Sequence, residues 1–329
     1  MTKQRTLGKN GPKVSAIALG SRNTSTNKAT RGAENKQTIE TIQAAIDAGI
    51  NFLNTADFYG MGENEMLIGE AIKGRRDKVF ISVKAGMRRS PSGAFLGMDC
   101  SPASIKNFCS YSLTRLGVDE IDLYQPARAD PNVPLEETVG AIADLIREGK
   151  VKYLGMSEVS ADQLRRANVI HPVTALEIEY SLASRFIERE ILPTAQELGI
   201  SIVPYSVLYY GLLTGTMDAP LSKEDYRSNF PRFRDENLPA NLEKVEVLKE
   251  MAKLKGYSAS QLAVAWVLRQ GENFIPIVGM SKPSRIVDNL KALDIEFSSE
   301  EMQLLNTTFA VGAMQGDRYP EALSGLVPS

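Results

Sequence analysis

Residues 50–60 read INFLNTADFYG, and the reading of this stretch decides the fold. Gly49, a helix breaker, precedes a short apolar run at 50–53, which stops in small and polar residues at 54–60. That is the pattern of a buried strand running into a functional loop. A helical pattern resumes near Glu63. Tyr59, a phenol just past a strand end, is placed to donate a proton, although a packing aromatic would have the same local sequence.

Outward from this stretch, short apolar runs and helical patterns alternate. Strands are expected at 15–19, 51–54, 79–84, 121–125, 151–156, 175–178, 200–205 and 274–278. Helices are expected at 36–48, 63–73, 102–116, 135–148, 161–170 and 187–198, many stopped by a glycine such as Gly49, Gly117 or Gly199. Residues 4–14 read as a hairpin turning at Lys9-Asn10-Gly11, because Asn-Gly favours a tight primed turn. An irregular stretch rich in Pro, Gly, Arg and Asp occupies 209–238, the kind of insertion that covers a site. Helices follow at 241–255, 259–270, 283–293 and 299–309, then a loose tail. Eight strands with intervening helices predict a (β/α)8 TIM barrel in the α/β class. It is read as one domain over 1–329, with a hairpin cap at 1–14, a long loop at 209–238 and a C-terminal helix and tail at 294–329. An open doubly wound sheet would need GxGxxG after the first strand, and GSRNTSTNK (20–28) does not supply it.

Composition narrows the function classes. At 43% hydrophobic and 24% charged the chain is an ordinary globular sequence. A net charge of −2 gives no reason to expect nucleic acid or an anionic membrane as partner. No apolar run reaches the ~18 residues of a spanning helix, and MTKQRTLGKNGPKV has no apolar segment behind its basic residues, so neither a span nor a secretory leader is expected. Cys100 and Cys109 lack metal-ligand neighbours and suggest a reducing cytoplasm. With His171 as the single histidine, no metal site is expected.

In such a barrel the chemistry sits at the C-terminal strand ends. Those ends are Gly20-Ser21-Arg22, the loop from Asn54 to Tyr59, Lys84, residues 125–128, Ser157-Glu158, Glu177, Tyr205-Ser206 and residues 279–282. Lys84 closes the otherwise apolar KVFISVK (78–84) next to the strand that leads to Tyr59. An ammonium beside a phenol favours phenolate, which makes the phenol a better acid at neutral pH. IVGMSKPSRIVDN (277–289) brings Lys282 and Arg285 to a helix start, a combination that suits a phosphate.

Together these residues resemble the aldo-keto reductases over nearly the whole chain. The segments that carry the resemblance are GINFLNTADFYGMGENEMLIGEAI (49–72), the lysine of VFISVK, VPLEETVGAIADLIREGKVKYLGMSE (133–158), EIEYSL (177–182) and IVGMSKPSRIVDN. The resemblance implies an (α/β)8 barrel that binds NADPH and transfers hydride to a small-molecule aldehyde or ketone. It implies Tyr59 as proton donor and Lys84 as its tuner. Ser157 and Glu177 fall on carboxamide ligands, with Glu177 where glutamine is usual. Tyr205 falls on the aromatic that stacks on nicotinamide, and Gly20, Ser21 and Arg22 on its lining. Lys282 and Arg285 fall on the residues for the 2′-phosphate and Asn289 on the adenine contact. Ser206, Leu208, Gly211, Leu213, Gly279, Ser281 and Asp288 complete the implied cofactor contacts.

Two positions depart from the pattern. Asn54 stands where a catalytic aspartate is usual, and Ala127 where a histidine is usual; DLYQPARADPNVP (122–134) contains no histidine. Loss of the aspartate leaves Lys84 expected to be less held and less compensated. Arg128 is the expected substrate contact beside the missing histidine. The expected function is NADPH-dependent carbonyl reduction. The alternatives are a cofactor-binding protein with weak or lost catalysis, and reduction of a C=C bond. The substrate-choosing loops (22–35, 87–100, 209–238 and 311–329) carry no readable signature, and oligomeric state is not legible.

Overall fold

A strand buried on both faces alternates its side chains between two interiors, and this alternation organises the molecule. The structure is a computed structural model that describes residues 2–20, 31–217, 221–222 and 224–328. Eight strands form one parallel sheet: β1 (Ala18–Gly20), β2 (Phe52–Ala56), β3 (Phe80–Ala85), β4 (Ile121–Pro126), β5 (Val151–Ser157), β6 (Val173–Glu179), β7 (Ser201–Tyr205) and β8 (Ile277–Gly279). Neighbours run in chain order from β1 to β7, and β8 pairs with β1. A parallel bridge between Ile202 and Phe274 joins β7 to the approach of β8, with Ile202 N donating to Asn273 O and Ile275 N to Ile202 O, both at 2.9 Å. The ring is thereby closed as the expected (β/α)8 barrel.

Six helices follow the first six strands: α1 (Arg31–Asp47), α2 (Glu63–Ala71), α3 (Pro102–Leu116), α4 (Leu135–Arg147), α5 (Ala161–Ile170) and α6 (Ile191–Leu198). Their ends follow local chemistry. Ser101 caps α3, Pro102 opens it and Gly117 closes it in the left-handed region at φ 64°. Ser160 and Gln163 form a reciprocal capping box on α5. Between β7 and β8 lie α7 (Leu238–Lys255) and α8 (Ala259–Leu268), and beyond β8 lie α9 (Ser284–Leu290), α10 (Ser299–Thr308) and α11 (Glu321–Ser324). None of the described helices is long and apolar enough to cross a membrane.

Two expectations are corrected, and one element appears that the sequence did not signal. The N-terminal hairpin pairs Gln4–Thr6 with Lys13–Ser15, so its connection is longer than a two-residue Asn-Gly turn. The left-handed residue is Gly8 at φ 71°, whose N–H donates to Ser201 Oγ at 2.7 Å and where a Cβ would meet Thr174 O. Docking against the barrel floor, rather than the turn alone, sets that shape. A second hairpin, Met87–Arg89 with Phe95–Met98, lies in the loop after β3 and has no clear sequence signal. The C-terminal tail is not loose. Arg318 donates to Glu158 Oε1 and Oε2 at 2.8 and 2.9 Å and approaches Glu179 Oε2 at 3.4 Å. Arg232, from the 209–238 segment, donates to Glu179 Oε1 at 2.6 Å and to the Arg318 carbonyl at 2.7 Å. Burial alone would raise the Glu179 carboxyl; Arg232 and Arg318 overcome that and hold it below its ordinary value.

The Tyr59 loop has its own anchor. Three consecutive left-handed residues follow Tyr59: Gly60, Met61 and Gly62, at φ 58°, 54° and 94°. Arg115 of α3 donates to the Asp57 carbonyl at 3.2 Å and to Glu65 Oε2 at 2.6 Å. It packs so closely on Gly62 that a Cβ there would lie 2.6 Å from its Cδ. Beneath the loop, Asp57 Oδ1 is buried with no hydrogen-bond partner among the described residues. Burial, then the neighbouring Glu65, pushes the Asp57 carboxyl up to about 8 against the pull of Arg115.

Two outcomes are expected from this packing. Between the ordinary carboxylate range and about 8, folded Asp57 keeps a proton that the unfolded chain has released, so stability falls as pH rises through that window. Tm measured from about pH 5 to about pH 9 should decline, and Asp57→Asn should flatten the decline. Arg232 and Glu179 are both 0% exposed, so Arg232→Ala leaves a buried carboxylate short of its main partner. A loss of roughly 3–5 kcal/mol is expected, read as a lower urea midpoint at unchanged slope.

Candidate active site

The barrel interior is layered by the two-residue period. At the floor, inward residues Phe52, Phe80, Leu123, Ala175 and Val203 cluster with Leu7 and Val14 of the hairpin. Two residues further along each strand the interior becomes polar: Asn54 after Phe52, Ser82 and then Lys84 after Phe80, Gln125 after Leu123, Glu177 after Ala175. Gly155 leaves the space Gln125 needs, since a Cβ there would lie 2.7 Å from Gln125 Oε1.

Lys84 is the hub of the polar layer. Its Nζ lies 3.0 Å from Glu177 Oε1, and it donates to Asn54 Oδ1 at 2.8 Å and to the Thr55 carbonyl at 3.0 Å. Asn54 Nδ2 donates to Glu177 Oε2 at 2.7 Å, and Gln125 Nε2 donates to the same oxygen at 2.7 Å. Lys84 and Glu177 are each only 5% exposed at the side chain, so the pair is desolvated. The expectation of an uncompensated, loosely held Lys84 is therefore corrected: the carboxylate comes from β6 instead of β2. The same ammonium lies 5.3 Å from the centroid of the Tyr59 ring. Tyr59, Lys84 and Asn54 are thus brought together as expected. Gln125 was expected at a strand end but given no partner, and Ser82, whose hydroxyl accepts from Gln125 at 3.2 Å, was not singled out. Their signal was present as polar residues at the inward i+2 positions of two strands.

Ala127 is fully buried and offers no donor. Arg128, next to it, donates to the Ala127 carbonyl at 2.6 Å and reaches the Tyr319 hydroxyl at 3.5 Å. Burial works against its charge, while Tyr205, Glu158 and Tyr319 hold it above the ordinary arginine value. Tyr205 donates to Glu158 Oε1 at 2.7 Å and sits 2.8 Å from the Tyr319 hydroxyl. Arg128, Tyr205 and the docked tail therefore form one wall of the mouth. His171 caps α5 before β6, at the opposite end of the barrel.

The residues expected to hold a cofactor divide into two groups. At the centre, Ser157 stands beside Glu177 in the strand register, and its buried hydroxyl has no hydrogen-bond partner among the described residues. Such an orphan next to a carboxylate suits an amide ligand, which both donates and accepts. At the rim, Lys282 and Arg285 are exposed beyond β8; the Arg285 N–H donates to the Lys282 carbonyl at 3.0 Å, and neither side chain has a hydrogen-bond or ion-pair partner among the described residues. Two free cations there suit a phosphate. Asn289 is buried behind them, while Ser281 and Asp288 are exposed. Gly20 lies where a Cβ would meet Ile277 Cγ2 at 2.8 Å. Ser21 and Arg22 lie outside the described residues. In the segment after β7, Ser206 and Gly211 have positive φ, Leu208 is half-buried and the Leu213 side chain lies in the core, leaving its backbone for contact.

The chain is similar to known proteins throughout. The Aldo/keto reductase family profile matches residues 16–308. The chain is 41% identical over 288 residues to a probable aldo-keto reductase 1 of Glycine max, covering 87% of this chain and 83% of that one. Among solved structures, the glycerol dehydrogenase from Gluconobacter oxydans has a TM-score of 0.85 at 28% identity, over 96% of this chain and 98% of its own. An aldo-keto reductase from Klebsiella pneumoniae, solved in complex with NADPH, has a TM-score of 0.74 at 27% identity, over 96% and 99%. The barrel, the polar hub at its mouth and these similarities converge: the chain belongs to the aldo/keto reductase family and is an oxidoreductase of that type.

Proposed function

We propose that the protein reduces an aldehyde or ketone with NADPH, using Tyr59 as proton donor. The observation that carries this reading is the buried Lys84 ammonium, paired with Glu177 and facing the Tyr59 ring at the C-terminal mouth of the barrel. NADPH, when bound, supplies the hydride. The chain's part is to hold the carbonyl, exclude water and deliver a proton. The Tyr59 hydroxyl gives its proton to the carbonyl oxygen as that oxygen gains charge, and the nearby Lys84 charge stabilises the phenolate left behind. Ser157 and Glu177 are the proposed ligands of the nicotinamide carboxamide, and Lys282 and Arg285 those of the 2′-phosphate.

Ala127 supplies no second donor to the carbonyl, and loss of one such donor costs on the order of 10²–10³ in rate. The protein is accordingly expected to be a slow reductase of simple aldehydes. It should favour substrates that bring their own polar group to the wall formed by Arg128 and Tyr319. Ala127 also motivates the competing reading, reduction of the C=C bond of an enone. Product analysis on an enone separates the two.

Two measurements test the reading. NADPH oxidation over an aldehyde, ketone and quinone panel should fall roughly 10²–10⁴-fold in Tyr59→Phe. Undiminished turnover in that variant would remove Tyr59 from the mechanism. Reversing both rim charges, Lys282→Glu with Arg285→Glu, should abolish any preference for NADPH over NADH while leaving NADH-dependent kcat near that of the parent. A preference that survives would put the phosphate elsewhere.

A further inference from the structure

Lys84 has a single carboxylate partner among the described residues, and it is held with unusual completeness. Glu177 Oε1 faces the ammonium at 3.0 Å, while Oε2 accepts from Asn54, Gln125 and Lys84 at 2.7, 2.7 and 3.3 Å. Asn54 spans the pair: its carbonyl oxygen receives the ammonium and its amide nitrogen feeds the carboxylate. These contacts fix the amide orientation, because the reverse orientation would set NH₂ against NH₃⁺ and C=O against COO⁻. An aspartate at 54 would keep an oxygen where Oδ1 now meets Lys84. A glutamine at 177 would then return an N–H to it. The arrangement of one amide and one carboxylate around one ammonium is the same with the two groups exchanged.

We propose that Glu177 is the positioning residue that holds and tunes Lys84 for proton transfer from Tyr59, and that positions 54 and 177 act as an exchangeable amide–carboxylate pair. The inference rests on the role proposed above for Tyr59. It accounts for Asn54: the carboxylate has not been lost from the hub but stands on the opposite strand. Glu177 also lies beside Ser157 in the register, so the group that compensates Lys84 faces the region proposed for the carboxamide. Glu177 is the carboxylate that offsets the Lys84 ammonium facing the Tyr59 ring, so its removal leaves that ammonium without an opposite charge beside it.

The test is a cycle of the parent, Glu177→Gln, Asn54→Asp and the double variant. Each is assayed for thermal unfolding without cofactor, and for kcat against pH with the panel aldehyde that the parent turns over fastest. Glu177→Gln should lower Tm by several degrees and kcat about 10–100-fold, the order of loss known for hydrogen-bond partners that orient metal ligands. It should also move the alkaline limb of the kcat profile to lower pH. The double variant should return Tm, kcat and the limb close to the parent. A structural role alone would move Tm and leave the limb in place. Parental kcat and pH profile in Glu177→Gln, or a folded double variant no better than that single one, would overturn the inference. If Glu177→Gln fails to fold, the double variant decides: folded and active supports the exchange, folded and inactive refutes it. Tyr59→Phe, measured alongside, separates the two layers. Full turnover in Tyr59→Phe defeats the proposed function itself, whereas an inactive Tyr59→Phe beside a fully active Glu177→Gln defeats only this inference.

Discussion

A desolvated ion pair at the centre of a barrel constrains everything around it. Lys84 and Glu177 are almost without solvent, and each charge taken out of water costs several kcal/mol before any attraction is counted. The pair persists only because its remaining donors and acceptors are satisfied. Asn54, Gln125 and the Thr55 carbonyl do this from neighbouring strands, and Gly155 gives Gln125 its room. Well-packed apolar residues would stabilise the same volume at least as well. Stability alone is therefore a weak explanation for a buried pair at the open end of the barrel, and this is why a role toward Tyr59 is proposed for it.

The barrel separates these demands along its axis. Its floor is apolar and capped by Leu7 and Val14 of the hairpin. Arg5 of the same hairpin donates to the carbonyls of Leu268, Gly271 and Phe274 and so ties the cap to the approach of the last strand. The mouth is polar and closed on one side by a second buried cluster, in which Glu158 and Glu179 are matched by Arg232 and Arg318. Arg232 and Arg318 come from the two segments outside the regular β/α units. Their charges dock irregular backbone onto the barrel and bring Tyr319 against Tyr205. The Tyr59 loop follows the same logic. Left-handed backbone at Gly60, Met61 and Gly62 is held by Arg115, reaching from a helix more than 50 residues away in sequence.

The order of elements was legible in the amino-acid sequence. Eight apolar runs, glycine-stopped helices and the polar strand ends each rest on local chemistry, and local chemistry is written in local sequence. Tyr59, Lys84 and the rim cations could be singled out as candidates for the same reason, since a residue type at a strand end is a one-dimensional fact. The hairpin connection was misread because Asn10-Gly11 is a local signal, while the observed shape is set by Gly8 docking against Thr174 and Ser201. The second hairpin, at 87–98, had no alternation strong enough to announce it.

Pairing was decided by the tertiary structure alone. Asn54 in the sequence reads as a missing charge, and Glu177, 123 residues later, reads as a substituted amide ligand. Only the closed ring places them 2.7 Å apart and makes one account for the other. Likewise nothing near Arg318 announces Glu158 and Glu179 as its partners, so the tail reads as loose until the barrel mouth exists to receive it. Sequence fixes which groups are available and on which face of a strand they stand, through backbone periodicity. Which charges meet depends on contacts across the ring, where the separation along the chain carries no information.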